Sequence, residues 1–405
     1  MKVRVGQIGS RMYYGVPRAL AANNLLEGLY TDFTINKGLP NLLSKFSFLL
    51  PKLNKLNNRH VFHIEKRKIH HLSDFGLKTF RNIQLAKDQR TKDLLFYNLG
   101  KQLENLILKD GLKGVDVITM IGSSSSTVFQ QAKQQGIITV QEEIIAPSGI
   151  YKNIITSEIH DYAKWQTINI SQQSIDFWQE ISEKEWHYAD HLICGSSFVK
   201  NAISQIGGPS EKAVVIPYGI PRLEKSLPFK SWDGKRKLRL LFVGAVGLRK
   251  GAHYLFQAAK LLHKDCEIRF CGKQEFDSNI IETYGKYIDI KGHVSRHSIG
   301  EHYEWADVFV LPSLFEGSAT VGYEALQYFL PMIVTPNAGQ MITNNEEGFV
   351  IEAKSVSAIV AAVQMYLNNP NLINIHSFNA KSLSDEASYD AYSKRLIDFF
   401  ENKIK

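Results

Sequence analysis

Two glutamates with seven residues between them, Glu316 and Glu324, have the types and the spacing that most clearly suggest chemistry. A hydrophobic run that predicts a buried strand, residues 308–311, precedes them. The residues after Glu316 are small and would let a ligand approach the backbone closely. Free N–H groups at a helix N-terminus favour an anion, and we expect neighbouring carboxylates to accept hydroxyl groups. The stretch 309–350 therefore predicts a site for a sugar together with a phosphate.

Length and composition fit a globular protein of two domains. The chain has 405 residues, which is long for one hydrophobic core, and its 44% hydrophobic and 22% charged content is ordinary. It has no apolar run of about 18 residues and no apolar stretch typical of a signal peptide near Met1. The three cysteines lack CxxC spacing and fit buried thiols in a reducing compartment. We therefore expect a cytoplasmic protein.

The net charge of +8 permits attraction to nucleic acid, anionic lipid or a phosphorylated ligand, and a solvated basic surface is the alternative. Residues 40–72 concentrate basic side chains among Leu and Phe clusters, with Glu65 as the single opposing charge. Such a segment can rest on an anionic surface at the inner face of the membrane or receive a lipid-linked substrate. A solvated helical hairpin is the other interpretation. Nucleic acid is not expected because a recognised binding motif is lacking.

Two successive series of strands and helices predict an α/β chain of two doubly wound domains that face each other across a cleft. The first series runs from the strand at residues 3–10 to the one at 214–219, and the second begins at 238. Residues 151–180 are polar and aromatic and predict helix. The segment 220–235 is rich in Pro and Lys, has no clear period, and is interpreted as the linker.

Other candidate residues lie where predicted strands end. Gly9 and Ser10 follow the first strand, where they either form a tight turn or let a ligand reach the backbone. The serines at 123–126 either hold a phosphate or cap a helix. Glu142 and Glu143 end another strand.

Five features of the chain together resemble one family. In chain order they are Ala189-Asp190 with Ser196-Ser197-Phe198, Ile216-Pro217-Tyr218-Gly219, Phe242-Val243-Gly244 with Lys250-Gly251, the run from Ala306 to Ser313, and Glu316-x7-Glu324-Ala325. On these residues the chain resembles, over nearly its full length, the retaining GT-B glycosyltransferases of family 4. The resemblance implies the GT-B fold, two Rossmann-like doubly wound domains facing a cleft.

The family resemblance also implies roles and boundaries. Glu316 would hold hydroxyls of the donor sugar, Glu324 would hold the ribose hydroxyls, and the pair Arg249-Lys250 would neutralise the diphosphate. The substrate-binding loop would comprise Gly317, Ser318, Ala319 and Thr320. Residues 1–219 would form the acceptor domain and 220–384 the donor domain, with a final helix at 385–405 returning to the first.

The strand expected to face the acceptor ends in Gln141, Glu142 and Glu143, where many family members have a histidine. We therefore expect Glu142 or Glu143 to face the acceptor and take Glu142 as the candidate. The chain has no D-x-D triplet to bridge a metal and a diphosphate, so no cofactor and no metal are expected. Fixed cations would instead stabilise the charge of the leaving nucleoside diphosphate.

The sequence thus predicts a retaining hexosyltransferase that uses a nucleotide-diphosphate sugar. The acceptor would be a glycan or a lipid-linked molecule, in cell-envelope or capsular polysaccharide synthesis. Two alternatives stay open. One is a GT-B epimerase or phosphorylase, and the other is a GT-B protein that binds nucleotide sugar without transferase activity.

Overall fold

The structure is a computed structural model that describes residues 1–36, 59–122, 124–168 and 171–404. Two parallel β-sheets organise these residues, one in each half of the chain. Strands such as Val3–Gln7 and Val308–Leu311 are buried at every position. Continuous burial is typical of parallel sheets that helices cover on both faces. Both halves of the chain therefore contain the parallel sheet that was predicted for an α/β domain.

The N-terminal sheet consists of seven parallel strands among the described residues. They are β1 (Val3–Gln7), β2 (Leu26–Thr31), β3 (Ile69–His71), β4 (Val117–Ile121), β5 (Ile138–Glu143), β6 (His191–Cys194) and β7 (Ala213–Val215). Their order in the sheet is β3-β2-β1-β4-β5-β6-β7. The connections change direction between β1 and β4, so a crevice opens there at the carboxyl ends of the strands.

The helices of this half lie in the connections between its strands. They are α1 (Gly15–Ala22), α2 (Ser73–Leu85), α3 (Gln89–Lys109), α4 (Ser126–Gln134), α5 (Ser148–Asp161), α6 (Gln172–Tyr188) and α7 (Ser197–Gln205). Side-chain caps fix several starts: Asp88 accepts a hydrogen bond from the Thr91 amide, and Ser196 accepts one from the Val199 amide.

The C-terminal sheet has six parallel strands in the described part of the chain, in the order β10-β9-β8-β11-β12-β13. They are β8 (Leu238–Val243), β9 (Cys266–Cys271), β10 (Asp289–Gly292), β11 (Val308–Leu311), β12 (Met332–Val334) and β13 (Gly348–Val350). The helices are α8 (Ala252–Leu262), α9 (Ser278–Tyr284), α10 (Ile299–Trp305), α11 (Thr320–Gln327), α12 (Val356–Asn368), α13 (Asn371–Glu386) and α14 (Tyr389–Asp398). Here the connections change direction between β8 and β11, which places the loops that follow them side by side.

The last helix packs against the N-terminal half. The Tyr389 hydroxyl donates to the Gly15 carbonyl at 3.0 Å, and the Arg18 guanidinium lies 4.8 Å from the centre of the Tyr389 ring. The chain then continues as a π-helical turn, Phe399–Lys403, with Phe399 and Phe400 buried. At the start of the linker, Ile220 pairs with Ser388. The exact boundaries at 219 and 384 stay predictions.

Two sequence expectations need comment. The helix expected at 151–180 is two helices, α5 and α6, because Trp165 between them packs against Phe276 of the other half. Of the basic segment 40–72, residues 40–58 lie outside the described residues. In the rest, Ile69–His71 forms β3, and buried Arg59 pairs with Asp32 at 2.8 Å.

Candidate active site

Three predicted residues meet in one ion cluster between the sheets. Glu316 Oε1 accepts from Arg249 Nη1 at 2.7 Å and from Lys250 Nζ at 2.6 Å. Arg249 and Lys250 follow β8, and Glu316 follows β11, which is the neighbouring strand. The change of direction in the strand order therefore brings the two loops together. The cluster joins a carboxylate that can accept hydroxyl groups to two cations that can hold an anion.

Backbone contacts hold the cationic loop in place. Leu248–Lys250 forms a 3₁₀ turn, and the Leu314 amide donates to the Arg249 carbonyl at 3.0 Å. Gly251 ends the turn at φ +66, where a Cβ atom would lie 1.9 Å from the Pro312 carbonyl oxygen. Only glycine fits there. This close approach explains why a glycine follows Lys250 in the sequence motif.

The cationic loop also depends on the N-terminal half, because the Leu248 amide donates to Gln166 Oε1 at 2.8 Å. Lys250 is buried, and desolvation lowers the pKa of its ammonium group, while the nearby Glu316 charge opposes that shift. A buried cation of this kind interacts strongly with an anion because little water screens it.

A cleft of about 390 Å³ adjoins the ion cluster and has walls from both halves. Residues 316–321 and Lys250 form one wall. The other wall is lined by Arg11, Met12, Glu142, Ile144, Ile145 and Tyr218. The cleft therefore lies at the carboxyl ends of both sheets, where open α/β domains bind ligands.

Residues 317–320, which follow Glu316, line this cleft. A Cβ at Gly317 would lie 1.9 Å from the Ile144 carbonyl oxygen, so glycine is required where the two halves touch. The Ser318 hydroxyl is 2.6 Å from the Tyr323 hydroxyl and donates to the Gly339 carbonyl at 2.9 Å. Ala319 is buried, whereas Thr320, the first residue of α11, is exposed. The Ser318 hydroxyl is thus bonded internally, which the sequence did not indicate.

Glu324 lies apart from the cluster, on α11, and does not line the cleft. The Tyr303 hydroxyl donates to Glu324 Oε2 at 2.8 Å. Burial raises the pKa of Glu324, and the hydrogen bond from Tyr303 partly offsets that effect. The structure therefore brings Glu316 together with Arg249 and Lys250 and places Glu324 beside Tyr303. Its ribose role stays a prediction.

Gly9 and Ser10 also lie outside the residues that line the cleft. Gly9 has φ +81, and its amide donates to Asp32 Oδ1 at 3.1 Å. Asp32 in turn pairs with Arg59. The Gly9 amide is therefore bonded within the protein, and a ligand contact at Gly9 or Ser10 stays a prediction.

Glu142 lines the cleft, and its acceptor-facing role stays a prediction. It is buried, and this burial raises its pKa, although the charge of Arg11 acts in the opposite direction. The next residue, Glu143, accepts a hydrogen bond from Trp186 Nε1 at 2.8 Å. Burial and the neighbouring Glu142 charge raise the pKa of Glu143 to about 7, against the lowering effect of Trp186.

The serine run after β4 bonds buried carboxylates. Ser124 Oγ donates to Glu104 Oε2 at 3.1 Å, and the Ser125 amide donates to Glu185 Oε1 at 3.1 Å. A phosphate at these serines would meet two carboxylates, so the phosphate interpretation is disfavoured. Ser123 lies outside the described residues.

Sequence reasoning missed Arg11 and Met12 as cleft residues. They begin a segment in which Met12, Tyr13 and Tyr14 all have positive φ, at 45, 53 and 59. Left-handed backbone is uncommon at non-glycine residues, and no residue type in this segment signals it. Their position depends on the fold and has no local sequence signal.

In the described part of the chain, no group of three or more His, Cys, Asp and Glu side chains has an arrangement that could hold a metal ion. Among the described helices, none combines the length and the apolar character needed to cross a membrane.

Several solved structures share this arrangement. The sucrose-phosphate synthase of Thermosynechococcus elongatus matches with a TM-score of 0.69 and 15% identity, over 100% of this chain and 99% of that one. HepE of Anabaena, solved in complex with UDP-glucose, matches with a TM-score of 0.58 and 13% identity, over 99% of both chains. The fold is GT-B, as the sequence predicts. At these identities the likeness shows the fold alone.

Part of the chain matches a protein-family model. Residues 225–402 match the model of the glycosyl transferases group 1. This group 1 segment contains Arg249, Lys250, Glu316 and Glu324. The match supports the predicted class of enzyme, a glycosyltransferase.

Curated relatives of the chain carry compatible names. A protein of Haemophilus influenzae described as an uncharacterized glycosyltransferase is 27% identical over 157 residues, which is 36% of this chain and 44% of that protein. An Escherichia coli protein is 26% identical over 249 residues, 56% of this chain and 63% of its own length. Its name is UDP-Gal:alpha-D-GlcNAc-diphosphoundecaprenol alpha-1,3-galactosyltransferase. The alignments thus span less than two thirds of both relatives.

Proposed function

We propose that this chain is a retaining glycosyltransferase that moves a sugar from a nucleotide-diphosphate donor to a glycan or lipid-linked acceptor. The observation that carries the proposal is the ion cluster of Glu316 with Arg249 and Lys250 in the cleft. This cluster lies in the group 1 segment and faces a wall from the other domain. It offers cations for a diphosphate and a carboxylate for sugar hydroxyls in one place.

The donor would bind by taking over the two cations. Arg249 presents a planar fork suited to phosphate oxygens, and Lys250 presents a point charge. Once a diphosphate pairs with them, the Glu316 carboxylate becomes available for hydroxyl groups of the sugar. Glu324 would accept the ribose hydroxyls, with Tyr303 fixing its orientation through the existing hydrogen bond. The donor would therefore lie at the carboxyl ends of β8 and β11.

The reaction would proceed on one face of the donor sugar. The bond between the anomeric carbon and the phosphate oxygen breaks, and the acceptor oxygen bonds to that carbon on the same face. The leaving phosphate takes the acceptor proton, so no protein side chain acts as the base. Arg249 and Lys250 stabilise the charge that develops on the phosphate, without a metal ion. Glu142 would orient the acceptor from the opposite wall.

Names of similar proteins support a UDP-sugar and an envelope glycan. The Escherichia coli relative is named for UDP-Gal and a diphosphoundecaprenol-linked acceptor, and HepE was solved with UDP-glucose. A Staphylococcus aureus relative, 28% identical over 142 residues, is named for capsular polysaccharide biosynthesis. We propose the same setting here, in the cytoplasm and at the inner face of the membrane, with residues 40–72 as the contact.

Thermal-shift titration with UDP-, GDP- and ADP-sugars tests the donor assignment. One of them should raise the melting temperature, since a ligand at about 100 times its Kd adds about 2.7 kcal/mol to stability. The variant Lys250→Met should bind that nucleotide sugar at least about tenfold more weakly, because a desolvated charge contact is lost. Lys260→Met, which changes an exposed lysine of α8, is the matched control and should bind normally.

Three results would contradict the proposal. If no nucleotide sugar raises the melting temperature, the proposed donor site is wrong. If Lys250→Met and the control bind the nucleotide sugar with equal affinity, the proposed role of the ion cluster is wrong. Epimerisation of the donor without an acceptor, or its cleavage by inorganic phosphate, would favour the epimerase or phosphorylase alternative.

A further inference from the structure

The chain between α5 and α6, residues 162–168, crosses from the N-terminal half and packs on the C-terminal half. The Trp165 ring contacts Phe256 and Phe276, with distances between ring centres of 6.2 and 5.4 Å. The Trp165 carbonyl accepts a hydrogen bond from the Asp277 amide at 2.8 Å. We call residues 162–168 the crossing segment. These ring and backbone contacts fix where its side chains meet the other half.

Gln166 joins the crossing segment to the cationic loop. Its Oε1 accepts from the Leu248 amide at 2.8 Å, and its Nε2 makes a long hydrogen bond of 3.5 Å to Glu275 Oε2. A Cβ atom at Gly247 would lie 2.8 Å from Gln166 Oε1 and 2.7 Å from Glu275 Oε2. The absence of a side chain at Gly247 therefore leaves room for both groups beside the loop.

The Leu248 amide needs an acceptor from outside its own turn. Leu248 begins the 3₁₀ turn Leu248–Lys250, and the first N–H groups of a helical turn have no carbonyl partner within it. Leu248 is fully buried, so water cannot easily replace Gln166 as the acceptor. A buried N–H group that loses its acceptor is costly. We therefore expect the turn to rearrange when residue 166 cannot accept.

The cationic loop thus has one anchor from each half of the chain. Within its own half, the Arg249 carbonyl accepts from the Leu314 amide at 3.0 Å. From the other half, Gln166 holds the amide of the residue before Arg249. Lys250 comes next in the chain, so a shift of the turn would move both cations. Gln166 is outside the set of residues that line the cleft, so its effect on a ligand there would pass through the turn.

We infer that Gln166 is a positioning residue for the donor. It acts from the N-terminal half through the Leu248 amide and fixes the turn that presents Arg249 and Lys250 to the diphosphate. The inference rests on the proposed function, because it concerns the cations of the same site. Diphosphate binding and the contact between the two halves should therefore strengthen each other, since coupling of this kind is reciprocal.

The variant Gln166→Leu tests this role, because leucine has a similar size and offers no acceptor to the Leu248 amide. UDP, GDP and ADP are titrated into the wild-type protein by calorimetry, and the tightest binder is then used for every variant. Gln166→Leu should bind that nucleotide about three- to tenfold more weakly, the loss expected when one buried hydrogen bond no longer fixes the cations.

Gln257→Leu is the matched control at the same interface. In the described part of the chain, Gln257 of α8 donates to the Tyr162 hydroxyl and to the His253 carbonyl, both at 3.3 Å. These bonds do not involve the cationic loop. The control should leave the nucleotide affinity unchanged, whatever it does to the melting temperature.

An exchange of the two polar partners tests the hydrogen bond itself. Gln166→Glu combined with Glu275→Gln keeps the net charge and keeps an acceptor for the Leu248 amide, and the amide group at position 275 can donate to the new carboxylate. This double variant should bind the nucleotide within about twofold of wild type, because the lost contacts are restored. If Gln166 only fills space, the double variant and Gln166→Leu will bind alike.

A double-mutant cycle with Lys250→Met shows whether Gln166 acts through the cations. In the Lys250→Met background, Gln166→Leu should weaken binding by a smaller factor than it does in wild type, because the effects of coupled residues are not additive.

Wild-type affinity in Gln166→Leu, or an equal loss in Gln257→Leu, would overturn the inference. Failure of the double variant to recover binding, or a fully additive loss in the cycle, would do the same. If one of these results occurs while wild type binds a nucleoside diphosphate and Lys250→Met weakens it, only the role of Gln166 is wrong. If wild type binds none of the three nucleotides, the proposed donor site is wrong and the inference falls with it.

Discussion

At the scale of single residues, the two cations of the cluster differ in exposure. The Lys250 side chain is 10% exposed, whereas that of Arg249 is 37% exposed. Water screens the Arg249 charge more, so we expect Lys250 to hold a phosphate more strongly. Arg249 Nη1 donates to Glu316 Oε1 at 2.7 Å and to the Phe315 carbonyl at 3.1 Å. The pair therefore combines a buried charge with a partly exposed one.

Glu143 should make stability depend on pH. Its pKa lies at about 7, above the ordinary value of 4.5, so the folded state binds a proton more readily between these values. The contribution of Glu143 to stability therefore falls as pH rises through this window. Glu143→Gln should remove this contribution, so that the variant gains about 1–2 kcal/mol over wild type above pH 7 and differs little from it below pH 4.5. Urea unfolding at a series of pH values measures this.

The control for this measurement is Glu183→Gln, at an exposed position of the neighbouring helix α6. It should leave the wild-type pH dependence unchanged. If the difference in stability between wild type and Glu143→Gln does not change between pH 4.5 and 7, Glu143 does not titrate as described.

The sequence predicts some site residues and misses others for a physical reason. Glu316 and Lys250 lie in motifs whose spacing is set by single strand-to-helix turns, and they are indeed in contact. Arg11, Ile144 and Tyr218 come from three separate segments and share no spacing. Only the packing of the folded chain brings them to the cleft beside Glu316. A motif cannot encode that arrangement.

At the scale of elements, the loop between β11 and α11 touches the opposite domain at Gly317. A methyl group there would overlap the Ile144 carbonyl, a backbone atom that cannot rotate away. Gly317→Ala should therefore push the domains apart, lower the melting temperature and cost about 1–3 kcal/mol. Thermal unfolding and hydrogen exchange at residues 144–148 report this effect.

Gly149→Ala is the matched control because its Cβ would meet Gln179 at 3.4 Å, an ordinary contact. It lies near the start of α5, where alanine favours helix. Stability equal to or above wild type is expected. If Gly317→Ala behaves in the same way, the close approach of the two domains at this loop is not maintained in solution.

Elements were predictable where burial alone decides them. Strands such as Val117–Ile121 and Val308–Leu311 are continuous or nearly continuous hydrophobic runs, so their positions followed from the sequence. Ile69–His71, which lies in the basic segment, was not predicted as a strand. The break between α5 and α6 did not follow from the sequence either, because its cause is tertiary. Gln166 accepts from the Leu248 amide, and Trp165 packs on Phe276, both across the domain interface. Local helix preference yields to such contacts.

At the scale of the whole molecule, the buried carboxylate of Glu158 links the two domains. Glu158 of α5 lies 2.7 Å from His253 Nε2 and 2.9 Å from Lys354 Nζ, and it accepts from the Tyr254 hydroxyl at 2.9 Å. Burial lowers the pKa of His253, although Glu158 opposes that shift. The contact joins α5 directly to α8 behind the cationic loop.

Glu158→Gln should weaken this contact between the domains, because one buried carboxylate oxygen becomes an NH₂ group that cannot accept a hydrogen bond. We expect a loss of about 2–3 kcal/mol in equilibrium unfolding. Glu180→Gln, which removes an exposed pair with Lys184, should have no measurable effect. Equal stability of the two variants would mean that the interface does not depend on Glu158.

The anomeric configuration of the product tests the central claim most directly. Wild-type protein is incubated with the nucleotide sugar that stabilises it most and with a panel of synthetic glycoside acceptors, and proton NMR follows the new linkage. An α-linked donor should give an α-linked product, and Glu316→Gln should form it at least about 100-fold more slowly while still binding nucleotide. A β-linked product, or undiminished transfer by Glu316→Gln, would contradict retaining transfer at this site.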